Sequence, residues 1–430
     1  MRDYLNAACR FWNFQGSVLA AKDGRVVLKA GYGLADTDKK IPNTPATKFL
    51  IASITKTFTA AAVLILEEEG LLKLSDPIAK YLEDYPPETA AKVTIHHLLS
   101  HTSGIPDSAA GTRSLDDLTK PRTPEELIAL FKDKPLGFEP GAGYHYSNSG
   151  YVVLGKIIER ASGRSYYDYV REKIFLPLGM KESGVGGDDN DAPVLAVGSM
   201  QGRDGRLVRA PVIHPSLGYS AGAFYSTVED LLKWDRGLDS TKILSRSALE
   251  KMFTSSQGNY GYGWLIMETW GRRDIAHGGG APGFSSWVER WPDERAFVAV
   301  LSNNGRTPAG EIGRSLAAIL FGQEYQPPQS REIISMDPDG LDEYVGTYRI
   351  DAQNSRRIIR RGDALFAERA GGQRYPIVPY DKDRFFFAHD KGASIRFVRD
   401  DAGKVSGHVF HQLGVDETAE KLTALPDRKS

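Results

Sequence analysis

Strand-forming runs stand at both ends of the first three hundred or so residues, with a mostly helical stretch from about 76 to 254 between them. The early runs are Ser17-Val18-Leu19-Ala20-Ala21 and Arg25-Val26-Val27-Leu28-Lys29. Asp23-Gly24 between them is a hairpin signal, because a tight turn needs the positive φ that glycine accepts. The late runs are Gly263 to Thr269, Ser285 to Trp291 and Phe297 to Ser302. One antiparallel sheet assembled from both ends of this region, flanked by helices and interrupted by a helical insertion, gives an α+β fold. The clearest helices are Arg2 to Phe14, Ser53 to Glu69, Val152 to Ala161, Tyr166 to Phe175, Val228 to Gly237, Ser247 to Phe253 and Ala309 to Phe321. Beyond them, Tyr344 to Ile350, Arg384 to Ala388 and Ser394 to Val398 are β-rich at hairpin spacing, which predicts a small closed barrel. A chain of 430 residues exceeds what one core organises. The expected division is a first domain over 1–324, with its sheet at about 1–75 and 255–324 and its helical insertion at about 76–254. A Pro- and Gln-containing linker over 325–338 and a β-barrel domain over 339–430 follow.

Composition narrows the class of function. Hydrophobic residues at 41%, charged residues at 25% and a formal net charge of −1 describe an ordinary folded protein without a basic surface for nucleic acid. The longest apolar run, Ala60 to Leu66, is too short to span a bilayer. Cys9 is the single cysteine, so no intrachain disulfide exists, and its helical context suits a small buried hydrophobe. No signal-peptide pattern opens the chain. A cytoplasmic location is expected if the chain is complete, and a periplasmic or secreted one if a leader has been removed.

Three short motifs carry the chemistry. Ser53-Ile54-Thr55-Lys56 is an S-x-x-K element, and residues three apart on a helix share a face, so the hydroxyl and the amine can meet. A helix start also favours developing negative charge on Ser53. A capping serine beside a solvated lysine would read the same. Tyr146-Ser147-Asn148 is a Y-x-N triplet ahead of a helix, in which a phenol near a lysine can shuttle a proton and an amide can orient substrate. A core tyrosine beside a capping asparagine is the alternative, and Tyr4-Leu5-Asn6 shows how common the triplet is. His277-Gly278-Gly279 opens a glycine-rich stretch to Gly283 between apparent strands. Backbone there can approach a substrate, with the Gly280 and Ser53 N–H groups as an oxyanion hole. A flexible turn with a satisfied histidine is the plain alternative.

The three motifs in this order resemble the serine β-lactamase and penicillin-binding-protein superfamily, in particular its class C-like branch of D,D-peptidases, D-aminopeptidases and family VIII esterases. Leu98-Leu99-Ser100-His101-Thr102-Ser103-Gly104-Ile105, Leu176-Pro177-Leu178-Gly179-Met180, Tyr260-Gly261-Tyr262-Gly263-Trp264 and Gly283-Phe284 extend the resemblance over most of residues 10 to 322. It implies a β-lactamase/transpeptidase-like fold, Ser53 as acylated nucleophile, Lys56 and Tyr146 as the proton-transfer pair, and Asn148 as a substrate-amide contact. His277, Gly279 and Gly280 would supply substrate-binding and oxyanion contacts, and His101 would support the loop ahead of the site. His277 stands where class C β-lactamases carry lysine, which implies weak or no β-lactam hydrolysis. The C-terminal segment looks like the lipocalin-like barrel appended to many relatives.

A fourth motif, Gly218-Tyr219-Ser220-Ala221-Gly222, matches the G-x-S-x-G elbow of α/β-hydrolases. The two prolines in Ala210-Pro211-Val212-Ile213-His214-Pro215 speak against the strand that an elbow requires, so Ser220 is expected to be inert. His96 and His97 are adjacent and diverge on a helix, and Asp188-Asp189 reads as a solvated loop, so neither a metal nor a cofactor is expected. The expected function is hydrolysis of small ester, amide or peptide substrates through an acyl-enzyme, by an esterase or a D-amino-acid peptidase or amidase. A penicillin-binding sensor that acylates without efficient turnover is the alternative. A homo-oligomer is compatible with either.

Overall fold

The computed structural model describes residues 1–107, 115–186, 195–201, 207–329, 332–351, 354–369, 374–388, 390–412 and 415–422. Asp188 and Asp189 lie outside them. The chain packs as two compact units, one of residues 15–305 and one of residues 1–14 with 306–430.

The larger unit is built on six antiparallel strands: β1 (Gly16–Lys22), β2 (Arg25–Tyr32), β3 (Leu265–Thr269), β4 (Arg272–Ala281), β5 (Phe284–Trp291) and β6 (Ala296–Ser302). Their order in the sheet is β3-β4-β5-β6-β1-β2. The N-terminal hairpin therefore pairs with the last strand of the late meander, from Gly16↔Ser302 to Ala21↔Phe297. That junction is central and dry: β6 is buried throughout and β1 through Ala21. Such two-sided burial explains its unbroken Val, Leu and Ala sequence. Asp23 and Gly24 turn the first hairpin with φ of 52° and 75°.

Helix α1 (Thr55–Glu68) is buried on every side from Thr55 to Leu66, as its apolar composition all round requires. Its threonines tie it to the G-x-S-x-G motif and to the residues just after it. The Thr59 hydroxyl donates to the Ser220 carbonyl at 2.7 Å, and Phe224 N donates to Thr55 Oγ1 at 3.1 Å. Helix α2 (Asn148–Ser162) packs on α1, with Ser147 as its cap accepting from Gly150 N and Gly163 closing it in the left-handed region. The helical middle also carries short strands: Gly184–Val185, Ser199–Gln201, Leu207–Arg209 and Phe224–Ser226. Runs of two or three residues leave no alternation to read in a sequence.

In the smaller unit, residues 346–421 form a closed antiparallel barrel of eight strands, each paired with the next in sequence. Closure joins the first to the last, Tyr348 opposite Lys421. Tyr344, Tyr348, Phe385, Ile395 and Phe397 fill its core. The same unit holds the helices Arg2–Trp12 and Ala309–Phe321. Tyr4 and Leu5 of the second Y-x-N triplet are buried in the first of these helices.

Candidate active site

Ser53 sits in a single 3-10 turn, Ala52–Ile54, that leads into α1. Ala52 is held at φ 48°, in the left-handed region that residues other than glycine avoid. Ser53 makes no cap bond to α1, and Lys56 is fully buried rather than solvated. The two are close: Lys56 Nζ stands 3.1 Å from Ser53 Oγ. Lys56 Nζ also donates to Asn148 Oδ1 at 2.8 Å and to the Ala221 carbonyl at 2.8 Å. The Tyr146 ring centre lies 4.9 Å from the same nitrogen. One lysine thus gathers the S-x-x-K element, the Y-x-N triplet and a backbone carbonyl of the G-x-S-x-G segment.

Burial dominates the electrostatics. It pushes Lys56 down to about 7, against the Asp107 carboxylate, which favours the charged form. The Tyr146 phenol is raised by burial, with the neighbouring Ser53 hydroxyl pulling the other way. His101 is held well below its ordinary value by burial and then by the Lys56 charge, so its ring is neutral. Its Nδ1 accepts from Ser147 N at 3.1 Å, and its ring packs 4.4 Å from that of Tyr146. His101 therefore seats the Y-x-N triplet.

His277, Gly279 and Gly280 all lie on β4 rather than in a turn. Pairing of β3 with β4 ends at Leu265↔Ala276, so His277 to Ala281 run on without a β3 partner. The His277 ring is buried, and both its nitrogens are engaged. Nδ1 donates to the Gly278 carbonyl at 2.6 Å, which leaves Nε2 to accept from the Tyr260 hydroxyl at 2.9 Å. Burial pushes this ring down to about 3, with the Lys56 charge adding to it. Ser286 Oγ on β5 donates to the Ile51 carbonyl at 3.0 Å and clamps the strands to the turn that carries Ser53. Gly279 fits there only because it lacks a side chain: a Cβ would stand 2.1 Å from the Ile51 carbonyl oxygen. Gly279→Ala is expected to cost about 1–3 kcal/mol of stability by overpacking, measured by denaturant unfolding. Gly280 has nothing within 4 Å of a Cβ position.

Ser53, Asn148 and Gly280 line one part of a cavity of about 550 Å³. Much of the remaining wall is apolar, including Leu118, Val197, Ile213, Leu217 and Phe284, with Arg209, His214 and Tyr225 as polar members. Ser220 is not among its lining residues; it is fully buried and donates to the Tyr151 carbonyl at 2.8 Å. No strand precedes it over residues 210–215. Ser220→Ala is expected to leave kcat/KM within about threefold and to cost about 1 kcal/mol of stability through the lost hydrogen bond, read by thermal unfolding.

His96 and His97 are spent on other tasks. His97 Nδ1 accepts from Thr94 N, and His96 Nδ1 lies 2.8 Å from the Tyr262 hydroxyl. Among the described residues no group of three or more His, Cys, Asp and Glu side chains could hold a metal ion. No helix among them is long and apolar enough to cross a membrane. Sequence reasoning missed the Ala221 carbonyl, Ser286, Tyr260 and the carboxylate of Asp107. Two of these carried a signal: Tyr260 stands in the Tyr260-Gly261-Tyr262-Gly263-Trp264 segment, and Asp107 is an acidic residue ending the Ser103-Gly104-Ile105-Pro106-Asp107 loop.

The site thus joins a buried lysine to a serine that lines a largely apolar cavity, beside the β4 residues that have no β3 partner. The Beta-lactamase family model matches residues 13–321, and the chain belongs to that family, a fold family made up mostly of serine hydrolases. Penicillin-binding protein 4* of Bacillus subtilis (strain 168) is 31% identical over 87% of this chain and 88% of its own length. The octameric penicillin-binding protein homologue from Pyrococcus abyssi matches with a TM-score of 0.70 at 28% identity, covering 97% of this chain and 98% of that one. The D-amino acid amidase from Ochrobactrum anthropi SV3, complexed with D-phenylalanine, matches with a TM-score of 0.65 at 28% identity, over 75% of this chain and all (100%) of the other.

Proposed function

We propose that the protein hydrolyses ester or amide bonds through an acyl-enzyme on Ser53, with Lys56 as the resting base. The observation that carries this reading is the hydrogen-bond arithmetic at Lys56. A neutral amine has two hydrogens and one lone pair. A charged Lys56 donates to Asn148 Oδ1, the Ala221 carbonyl and Ser53 Oγ; in the neutral amine the two hydrogens serve the first two, and the 3.1 Å contact to Ser53 becomes the lone pair's. A lysine lowered to about 7 keeps an appreciable neutral fraction at neutral pH.

Acylation then proceeds as follows. Ser53 Oγ attacks the substrate carbonyl carbon while its proton passes to Lys56 Nζ. The Ser53 and Gly280 N–H groups receive the oxyanion. Collapse breaks the bond to the leaving alcohol or amine, which takes the proton from Lys56 by way of the Tyr146 phenol. Water attacks the acyl-enzyme with the same pair in reverse, releasing the acid and restoring the Ser53 hydroxyl. Asn148 contributes a side-chain N–H to a substrate carbonyl. His277 and Gly279 act by holding β4 in place.

The apolar wall beside Ser53 supports substrates whose acyl part is apolar. The neutral His277, with both nitrogens engaged, offers no cation to a β-lactam carboxylate, which supports weak β-lactam turnover. The amidase and penicillin-binding relatives support amide bonds alongside esters. An octameric relative supports testing for a homo-oligomer by light scattering. The experiment for this reading is a turnover panel of p-nitrophenyl esters, D- and L-amino-acid amides and nitrocefin on wild type and Ser53→Ala. Ester or amide turnover that vanishes in Ser53→Ala supports it. A long-lived penicillin adduct without turnover of any substrate would replace it with the sensor reading.

A further inference from the structure

We propose that Asp107 is a positioning residue that aims the Lys56 amine at Ser53, by fixing the Asn148 side-chain amide with its oxygen toward Lys56. The inference rests on the proposed role of Lys56 as base and extends it to a residue that does not touch Ser53 and does not itself line the cavity.

Asp107 ends a loop that is itself anchored. Ile105 is buried, its N–H donates to Ser103 Oγ at 3.2 Å, and the Gly104 carbonyl accepts from Gly137 N at 2.8 Å. From there the carboxylate spans the start of α2. Oδ1 accepts from Asn148 N at 3.1 Å and from Ser149 N at 3.4 Å, and Oδ2 accepts from Asn148 Nδ2 at 3.0 Å. A carboxylate at a helix start is ordinary capping. The third bond is different, because it goes to a side chain whose other end faces the catalytic lysine. A carboxylate only accepts, so the amide end that meets it must be the NH₂. Asn148 Oδ1 is thereby turned to Lys56 Nζ at 2.8 Å. With that acceptor and the Ala221 carbonyl both fixed, the third direction at Nζ is fixed too, and it points at Ser53 Oγ. One N–H of Asn148 remains for substrate.

Asp107→Asn tests this with little change of shape. An asparagine oxygen can still accept from the two backbone N–H groups, but its NH₂ then opposes the Asn148 NH₂. Relief requires the Asn148 amide to flip, which sets its NH₂ against Lys56 and removes an acceptor. The titratable groups around Lys56 are Tyr146, Tyr151, His101, His277 and Asp107. The two histidines are held neutral and the two phenols are raised, so Asp107 is the one whose charge favours the ammonium. Losing that charge and the Asn148 oxygen both lower Lys56 further.

The expected result for Asp107→Asn is a kcat/KM about 10²-fold below wild type, the loss typical of a misplaced catalytic group. The acid limb of its pH profile moves to lower pH. In parallel, ¹³Cε NMR of labelled lysine, with Lys56 assigned by Lys56→Met, gives a lower titration midpoint for Lys56. Asp107→Ser, which retains a capping oxygen but no carboxylate, is expected to behave alike and serves if the asparagine variant does not fold. An unchanged kcat/KM in a folded variant overturns the proposal. So does a loss of rate with the limb and the midpoint unmoved, which would assign Asp107 to the helix end alone. Ser53→Ala in the same assay separates the two claims: if it retains turnover, the serine reading itself has failed.

Discussion

Ser53→Ala is expected to lower kcat by about 10⁶-fold toward the background of the remaining site, as removal of a nucleophile from a cooperating set does. The cause is local. Ser53 Oγ is the hydroxyl that stands 3.1 Å from Lys56 Nζ, and it is the serine lining the apolar cavity. Ser220, which shares a sequence signature with another class of serine enzymes, has its hydroxyl committed to the Tyr151 carbonyl. Alanine at 53 removes no cap and no core contact, so the variant should unfold within about 0.5 kcal/mol of wild type. Steady-state rates with a p-nitrophenyl ester, together with a denaturant titration, check both halves of the expectation.

Lys56→Met is expected to lower kcat/KM by about 10³- to 10⁴-fold, the contribution of a positioned general base. Methionine keeps most of the volume of the buried stem but accepts no proton, so folding is retained while proton transfer is lost. Wild type should report the same group by its pH dependence. The working form is the neutral amine, and burial places its titration near 7. Activity is therefore present above about pH 7 and falls tenfold per pH unit below it. Because the Tyr146 phenol is raised and His101 and His277 are lowered, none of the three brings a second limb between pH 6 and 9. A kcat/KM that stays flat from pH 5 to 9 would contradict the assignment of Lys56 as base.

Much of this was open to inspection in the bare sequence, for reasons that differ by element. The first hairpin was legible because Asp23-Gly24 has a single backbone use between two apolar runs. A single sheet drawn from both ends was legible from the strand runs that flank the helical middle, but the pairing of β1 with β6 came only with the structure. The helix Ala309–Phe321 and the barrel were legible from period and from hairpin spacing. The segment from His277 to Ala281 was not legible as a strand, since glycine has low strand preference and conceals the ladder it joins. Short pairings such as Gly184–Val185 with Phe224–Ser226 were hidden by their length.

The site shows the same division. Ser53, Lys56, Tyr146 and Asn148, which the structure brings together, could be singled out because their chemistry resides in side chains at fixed spacing. The Ala221 carbonyl was invisible, because a backbone group leaves no mark on the residue that supplies it. Within Gly218–Gly222, the segment first read as a false elbow, the useful atom is therefore not the serine but the carbonyl one residue later, which holds Lys56. The role of Asp107 was hidden because its partner lies forty-one residues away.

The most direct measurement is intact-protein mass spectrometry of wild type quenched during turnover of a p-nitrophenyl ester, and after exposure to a fluorescent penicillin, followed by peptide mapping. The account requires an acyl mass increment on the peptide containing Ser53, transient with the ester and absent in Ser53→Ala. An adduct mapped to Ser220, or undiminished labelling and turnover in Ser53→Ala, would contradict it.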